Sequence, residues 1–261
     1  MNSMNRGTLV MPLHDPSGLA FAHLRAIMPA LRDLFAGACV GVTAVTAATQ
    51  PEQVAWLVQE DFFRPLIQRA GLAVGDQFRE LYAAAAATGD PGQLLHLCFS
   101  DRLSYILQSG QRESFAADIR AIRPAETPLI FQRSEAAWQT HPRNYRAAER
   151  MVTTAGELLF GQTLDFAWCH LVVRAGQLAE ILPRVHRPDM SMVAEIVLHL
   201  MSSRLHTQAV DWLAWEDPFM EGRDAQELRQ EREASSQETR KRLAYVIPML
   251  QLLYAAADPG R

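Results

Sequence analysis

The chain has 261 residues, 49% hydrophobic and 21% charged, with a formal net charge of −4. That length builds one large domain or two small ones with a sizeable core. The slight negative balance excludes bulk attraction to nucleic acid or to an anionic membrane. Three cysteines, Cys39, Cys98 and Cys169, are far apart and odd in number. Their apolar settings read as reduced core thiols of a cytoplasmic protein.

The opening stretch "MNSMNRGTLVMPLHDPSG" lacks a long apolar run, so no signal peptide is expected. No run reaches the roughly 18 apolar residues of a membrane span. "TLVMPL" (Thr8 to Leu13) is a short apolar strand that stops at the turn signal "HDPSG". "LAFAHLRAIMPALRDLFA" has helical spacing with Pro29 inside it. "ACVGVTAVT" (Ala38 to Thr46) is small and β-branched, a buried strand. Pro51 suits the first turn of a helix over "PEQVAWLVQE". A helix from about Asp76 stops at Gly89-Asp90-Pro91. "GQLLHLCF" is the third strand, followed by the helices "SDRLSYILQS" and "RESFAADIRAI". "TPLIFQR" (Thr127 to Arg133) is the fourth strand.

Beyond it the chain is more helical. "NYRAAERMVTTAGELLFG" is a helix ending at Gly161. "DFAWCHLVVRAGQLAEIL" mixes a short strand with a helix, and "MSMVAEIVLHLMSSRL" is amphipathic. "QAVDWLAWEDP" reads as a strand running into a turn. Gly222 to Arg242 is dense in both signs of charge, a solvated helix with Glu238 and Arg242 at i,i+4 spacing. "LAYVIPMLQLLYAAA" is an apolar helix interrupted by Pro248. Strands alternating with helices predict an α/β fold with a mostly parallel central sheet, flanked by helices. Ligands of such sheets bind beyond the C-terminal strand ends. Here those ends are His14-Asp15, Thr43 to Thr46, Ser100-Asp101 and Arg133.

The common nucleotide, hydrolase and zinc motifs are absent from the sequence: no P-loop, no G-x-G-x-x-G after a strand, no G-x-S-x-G, no C-x-x-C and no H-E-x-x-H. What remains is polar residues at strand ends, each with a plain structural role beside a functional one. Asp101 stands where an N-cap for "RLSYILQS" belongs. Asp15 before Pro16 shapes a turn or meets a ligand. Thr43 and Thr46 are strand residues or ligand contacts. Arg133 makes an ion pair or reads a diphosphate with its fork. His141 is a loop histidine or a ligand contact. Asp165, in an apolar run, needs a partner if buried. Trp215-Glu216-Asp217 is a packed turn or a sugar platform with a carboxylate. His96, His170 and His199 read as core histidines.

Five stretches, in order, resemble the GT-A-fold glycosyltransferases, the nucleotide-diphospho-sugar transferase superfamily. "VMPLHDPSGLAFAHLRAIMPALRDLFAGACVGVTAVT" is similar to the family's opening, and "HLCFSDRLSYILQSG" to the segment carrying its D-x-D-R element. "FQRSEAAWQTHPRNYRAAERM" resembles its later stretch with an Arg after a strand and Thr-His-Pro before a helix, "LLFGQTLDFAWCHLVVRAGQLAEIL" its acceptor-side segment, and "VDWLAWEDP" the Trp-Glu turn near its C-terminal end. The resemblance covers about residues 7 to 220. It implies a single GT-A-like domain over 1–261, with a nucleotide-sugar-binding half over about 7–133 and an acceptor-side half with C-terminal helices over about 134–261. It also implies sugar transfer from a nucleoside diphosphate sugar to a small acceptor. The expected nucleotide-sugar contacts are Asp15, Thr43, Thr46, Asp101, Arg102, Arg133 and His141. The resemblance further implies that Trp215 faces the acceptor, that Asp165 and Glu216 are the candidate catalytic carboxylates, and that Asp101 holds Mg²⁺ or Mn²⁺. One departure stands out: Phe99 occupies the place of the first carboxylate of the D-x-D element. A single Asp can hold magnesium through waters and the diphosphate, with lower affinity. Arg102, Arg133 or His141 could supply part of the charge instead. A weak-metal enzyme, a metal-independent enzyme and a non-catalytic binding or assembly protein all stay open, as does homo-oligomerisation.

Overall fold

A computed structural model describes residues 6–87 and 89–258. Met1 to Asn5, where the leader expectation falls, lie outside the described residues. β1 (Thr8–Leu13), β2 (Gly37–Val42) and β4 (Leu94–Cys98) form where apolar runs were read. With β3 (Phe63–Ile67), β5 (Leu129–Arg133), β6 (His170–Arg174) and β7 (His206–Val210) they make one seven-stranded sheet, ordered β3-β2-β1-β4-β6-β5-β7. Six strands share one direction and β6 opposes them, so the sheet is mixed but mostly parallel. Both sequence halves contribute strands to it.

The sheet has two covered faces, because successive side chains alternate. Val10, Leu95, Leu97, Leu171 and Val173 point into one core. That core is closed by α4 (Val74–Ala86), α8 (Arg143–Phe160), α9 (Ala175–Ile181), α10 (Met192–Leu200) and α13 (Ser236–Ala256). Leu9, Met11, Leu94, Cys98 and Val172 point into the other. There α1 (Leu19–Leu34), α3 (Pro51–Gln59), α5 (Ser100–Gln108) and α6 (Arg112–Ala121) close it. No helix among the described residues is long and apolar enough to cross a membrane.

Three expectations need correction. The strand expected over Ala38 to Thr46 ends at Val42, because the Thr43 hydroxyl accepts the Thr46 N–H and caps α2 (Ala44–Thr49). β3 was not anticipated: Arg64 and Pro65 spoil its apolar pattern, which an edge strand tolerates. The expected Glu238–Arg242 pair does not form. Arg242 turns inward to Glu149 on α8 at 2.8 Å, and Glu238 takes Lys241 and Tyr145.

Close packing of α8 depends on one glycine. A Cβ on Gly156 would overlap the Phe166 ring. Gly156→Ala should therefore lower stability by about 1–3 kcal/mol through overpacking, despite alanine's better helix propensity. A urea midpoint at or above wild type would refute this.

Candidate functional site

The chain runs from β1 outward to β2 and β3, then returns to β4 on the other side of β1. The β1–β4 junction is thus a topological switch point, where the loops at the C-terminal strand ends diverge and leave a crevice. A cleft of about 450 Å³ opens there. His14, Asp15 and Ser17 line it from the β1 loop, Thr43 from the end of β2, and Phe99, Ser100 and Asp101 from the end of β4. Asp217, Met220 and Glu221 of α11 (Asp217–Glu221) close the far side. Four carboxylates and no Lys or Arg appear in this lining, so His14 is its one basic side chain.

Local chemistry explains how these residues are held. Both carboxylate oxygens of Asp15 are engaged: Oδ1 accepts the Ser17 hydroxyl at 2.9 Å and Oδ2 the Phe21 N–H at 3.1 Å. Asp15 thereby satisfies an orphan donor in the first turn of α1. Asp101 is not the N-cap of α5, because Phe99 occupies that position. Asp101 sits in the first helical turn, where a carboxylate complements the helix dipole, and it accepts the Arg102 N–H at 2.7 Å. Burial pushes the Asp101 carboxyl above its ordinary pKa; Arg102 opposes this, and Asp217 adds to it.

Behind the cleft lies a buried charge belt. Arg102 donates to the Ala214 carbonyl at 2.7 Å and pairs with Glu216. One arginine here faces Asp101, Glu216 and Asp217. Burial and the two aspartates outweigh Arg102, and Glu216 is pushed up to about 8. Further along the same edge, Arg133 forks onto Asp165 with two bonds of 2.9 Å and reaches Glu149 at 2.5 Å. Its guanidinium lies 3.7 Å from the Trp138 ring centroid. His141 Nδ1 meets the Ala137 carbonyl at 3.0 Å, and its Nε2 has no partner among the described residues. Burial, then Arg102 and Arg133, hold His141 well below the ordinary histidine range.

The strand ends thus bring Asp15, Thr43 and Asp101 together around the cleft, joined by Asp217, Glu221 and His14, which were not assigned from sequence. Asp217 was visible in the Trp-Glu-Asp turn, and His14 at the end of the first strand. Thr46 is fully buried beneath the cleft wall. Arg102, Arg133, His141, Asp165, Trp215 and Glu216 share that edge but are buried and do not line the cleft. Phe99, at the place of the missing carboxylate, packs at 5.9 Å against Phe78.

No three His, Cys, Asp or Glu side chains gather as a metal-ligand set among the described residues. The oxygen donors present, Asp101 near Asp217, fit only the sparse first shell that magnesium accepts. Searches for a matching family model, a curated protein or a solved structure found none for this chain. Fold and cleft together define an α/β protein with a crevice at its switch point.

Proposed function

We propose that the cleft binds a nucleoside diphosphate sugar and that the protein is a GT-A-type glycosyltransferase acting on a small acceptor. The observation that carries this reading is the switch-point cleft, with Asp15, Thr43 and Asp101 meeting in its wall. The acidic lining alone repels a diphosphate, so Asp101 and Asp217 would hold Mg²⁺ or Mn²⁺. That ion supplies the positive charge the leaving diphosphate needs. Arg133 cannot take the role of diphosphate reader while its fork is held by Asp165 and Glu149. Asp165 is likewise closed off as a base by Arg133. Glu216, the other expected base, is buried, paired with Arg102 and outside the cleft lining, so it reaches an acceptor only if that pair opens.

A second reading, a binding protein without turnover, is favoured by Phe99 at the carboxylate's place in the cleft wall and by the Arg133–Asp165 lock. Thermal shift with nucleoside diphosphates and their sugars, with and without Mn²⁺, tests both. Ligand at 100 times its Kd stabilises the folded state by about 2.7 kcal/mol. Release of free nucleoside diphosphate in the presence of acceptor separates the transferase from the binder.

Asp101→Asn is the decisive variant. The folded state already disfavours the Asp101 charge, because its pKa is raised there. A carboxyl with a raised folded pKa lowers stability as pH climbs past its unfolded value. Neutralising it should leave the ligand-free midpoint at pH 7 unchanged or slightly higher. The Mn²⁺-dependent shift by sugar nucleotide should disappear. An Asn variant that responds like wild type would remove Asp101 from the site, and no response from wild type to any member of the panel would remove the sugar-nucleotide reading.

A further inference from the structure

A chain of hydrogen bonds runs from the backbone to the cleft surface. The Asp15 N–H donates to Thr46 Oγ1 at 2.7 Å. Thr46 Oγ1 lies 3.0 Å from Thr43 Oγ1, and Thr43 Oγ1 lies 3.0 Å from His14 Nδ1. The direction of the first bond is fixed, since a backbone N–H can only donate. Thr46 is fully buried, and the one acceptor its own O–H reaches among the described residues is Thr43 Oγ1. A reversed chain would leave that O–H unsatisfied in the interior, which buried polar groups avoid. Thr43 Oγ1 also accepts the Thr46 N–H at 3.4 Å, so its proton is left to point outward. It donates to His14 Nδ1. A neutral imidazole that accepts at Nδ1 carries its proton on Nε2. Nε2 has no partner within the described chain, and His14 is exposed in the cleft wall.

We propose that His14 is the cleft's fixed hydrogen-bond donor, presenting Nε2–H to an uncharged oxygen of the ligand, a carbonyl or a hydroxyl. The relay denies the ring a role as base at Nε2. The carboxylates around it, Asp15, Asp101, Asp217 and Glu221, disfavour an anionic group that lacks a metal. A donor beside carboxylate acceptors instead suits the polar edge of a nucleobase or a sugar. This assignment of the ligand rests on the sugar-nucleotide reading; the tautomer does not.

Nitrogen-15 NMR of the ligand-free protein reads the tautomer directly. Wild type should show a protonated Nε2 and a bare Nδ1. Thr43→Val should let Nδ1–H forms appear, and Thr43→Ser should restore the wild-type pattern. A wild-type ring protonated mainly at Nδ1 overturns the proposal. Titrations with uridine, guanosine, glucose and inorganic pyrophosphate then identify the acceptor. His14→Phe should weaken nucleoside or glucose binding about tenfold, the worth of one hydrogen bond in a cleft. His14→Gln, which keeps a donor, should lose less, and pyrophosphate binding should not change. Loss confined to pyrophosphate overturns the neutral-acceptor assignment. If wild type binds none of the four while the Nε2–H form is present, the sugar-nucleotide reading and the ligand assignment fall together, and the fixed donor stands on the NMR result.

Discussion

Arg133→Met is expected to cost about 3–5 kcal/mol, the largest single loss of any side chain at the strand-end edge. The substitution keeps the volume and removes the charge. Asp165 would then keep no cationic partner in an apolar surround, and Glu149 would keep only Arg242. Both acids are almost wholly buried. Burial by itself would raise the Glu149 carboxyl; Arg133 and Arg242 overcome it and hold the group at about 2. A depressed carboxyl contributes its full stability above its unfolded pKa and loses it progressively as pH falls from that value through the folded one. The network is therefore fully formed at neutral pH, where urea unfolding should show the loss. Arg242→Met should cost less, because 30% of its side chain is exposed and Arg133 still serves Glu149. An Arg133→Met protein as stable as wild type would mean that desolvation of the four charges cancels their attraction.

The same network limits what a sequence can disclose about a site. Strands β1, β2 and β4 were legible because central parallel strands are buried on both faces and appear as apolar runs. The direction of β6 was not, since "HLVVR" pairs equally well either way and only its neighbours on β4 and β5 decide. Asp101 was legible as a residue at the end of β4. Its place within α5 was not, because Phe99 and Ser100 begin the helix earlier than the cap pattern suggests. Arg133 and Asp165 were each visible, 32 residues apart, as charged groups in apolar runs. Nothing local says that they choose each other over a ligand. His14 needs a hydroxyl 29 residues away to fix its tautomer. Residues were legible, then, where burial shapes their own neighbourhood, and illegible where a distant partner consumes their hydrogen bonds.

Acid should unfold this protein through its histidines, and steeply. His96 on β4 and His170 on β6 are each 1% exposed, with Nδ1 of the first 3.2 Å from Nε2 of the second. One ring must donate and the other accept, so at most one could carry a charge, and burial disfavours even that. Phe35, Phe115, Phe131 and Trp212 surround them, and a Cβ on Gly7 would strike the His96 ring. Among the described residues no carboxylate is bonded to either ring. Burial pushes His96 down to about 3, and burial with His96 beside it pushes His170 well below its ordinary value. In the unfolded chain both titrate near pH 6.5. Below that pH the unfolded state binds protons that the folded state refuses, so each ring removes about 1.4 kcal/mol of stability per pH unit. His96 continues to do so down to about pH 3. The Glu149 network adds to this loss only below about pH 4.5, where the unfolded carboxyl takes a proton that the folded one refuses down to about pH 2. For a domain whose whole stability is of the usual order of about 5–15 kcal/mol, two such rings suffice to unfold it within a few pH units of neutrality. Urea midpoints at pH 7.5, 6.0 and 5.0 should fall in step. The double variant His96→Leu/His170→Leu should flatten most of that slope. A wild-type midpoint unchanged from pH 7.5 to 5.0 would show that the pair accepts a proton without unfolding.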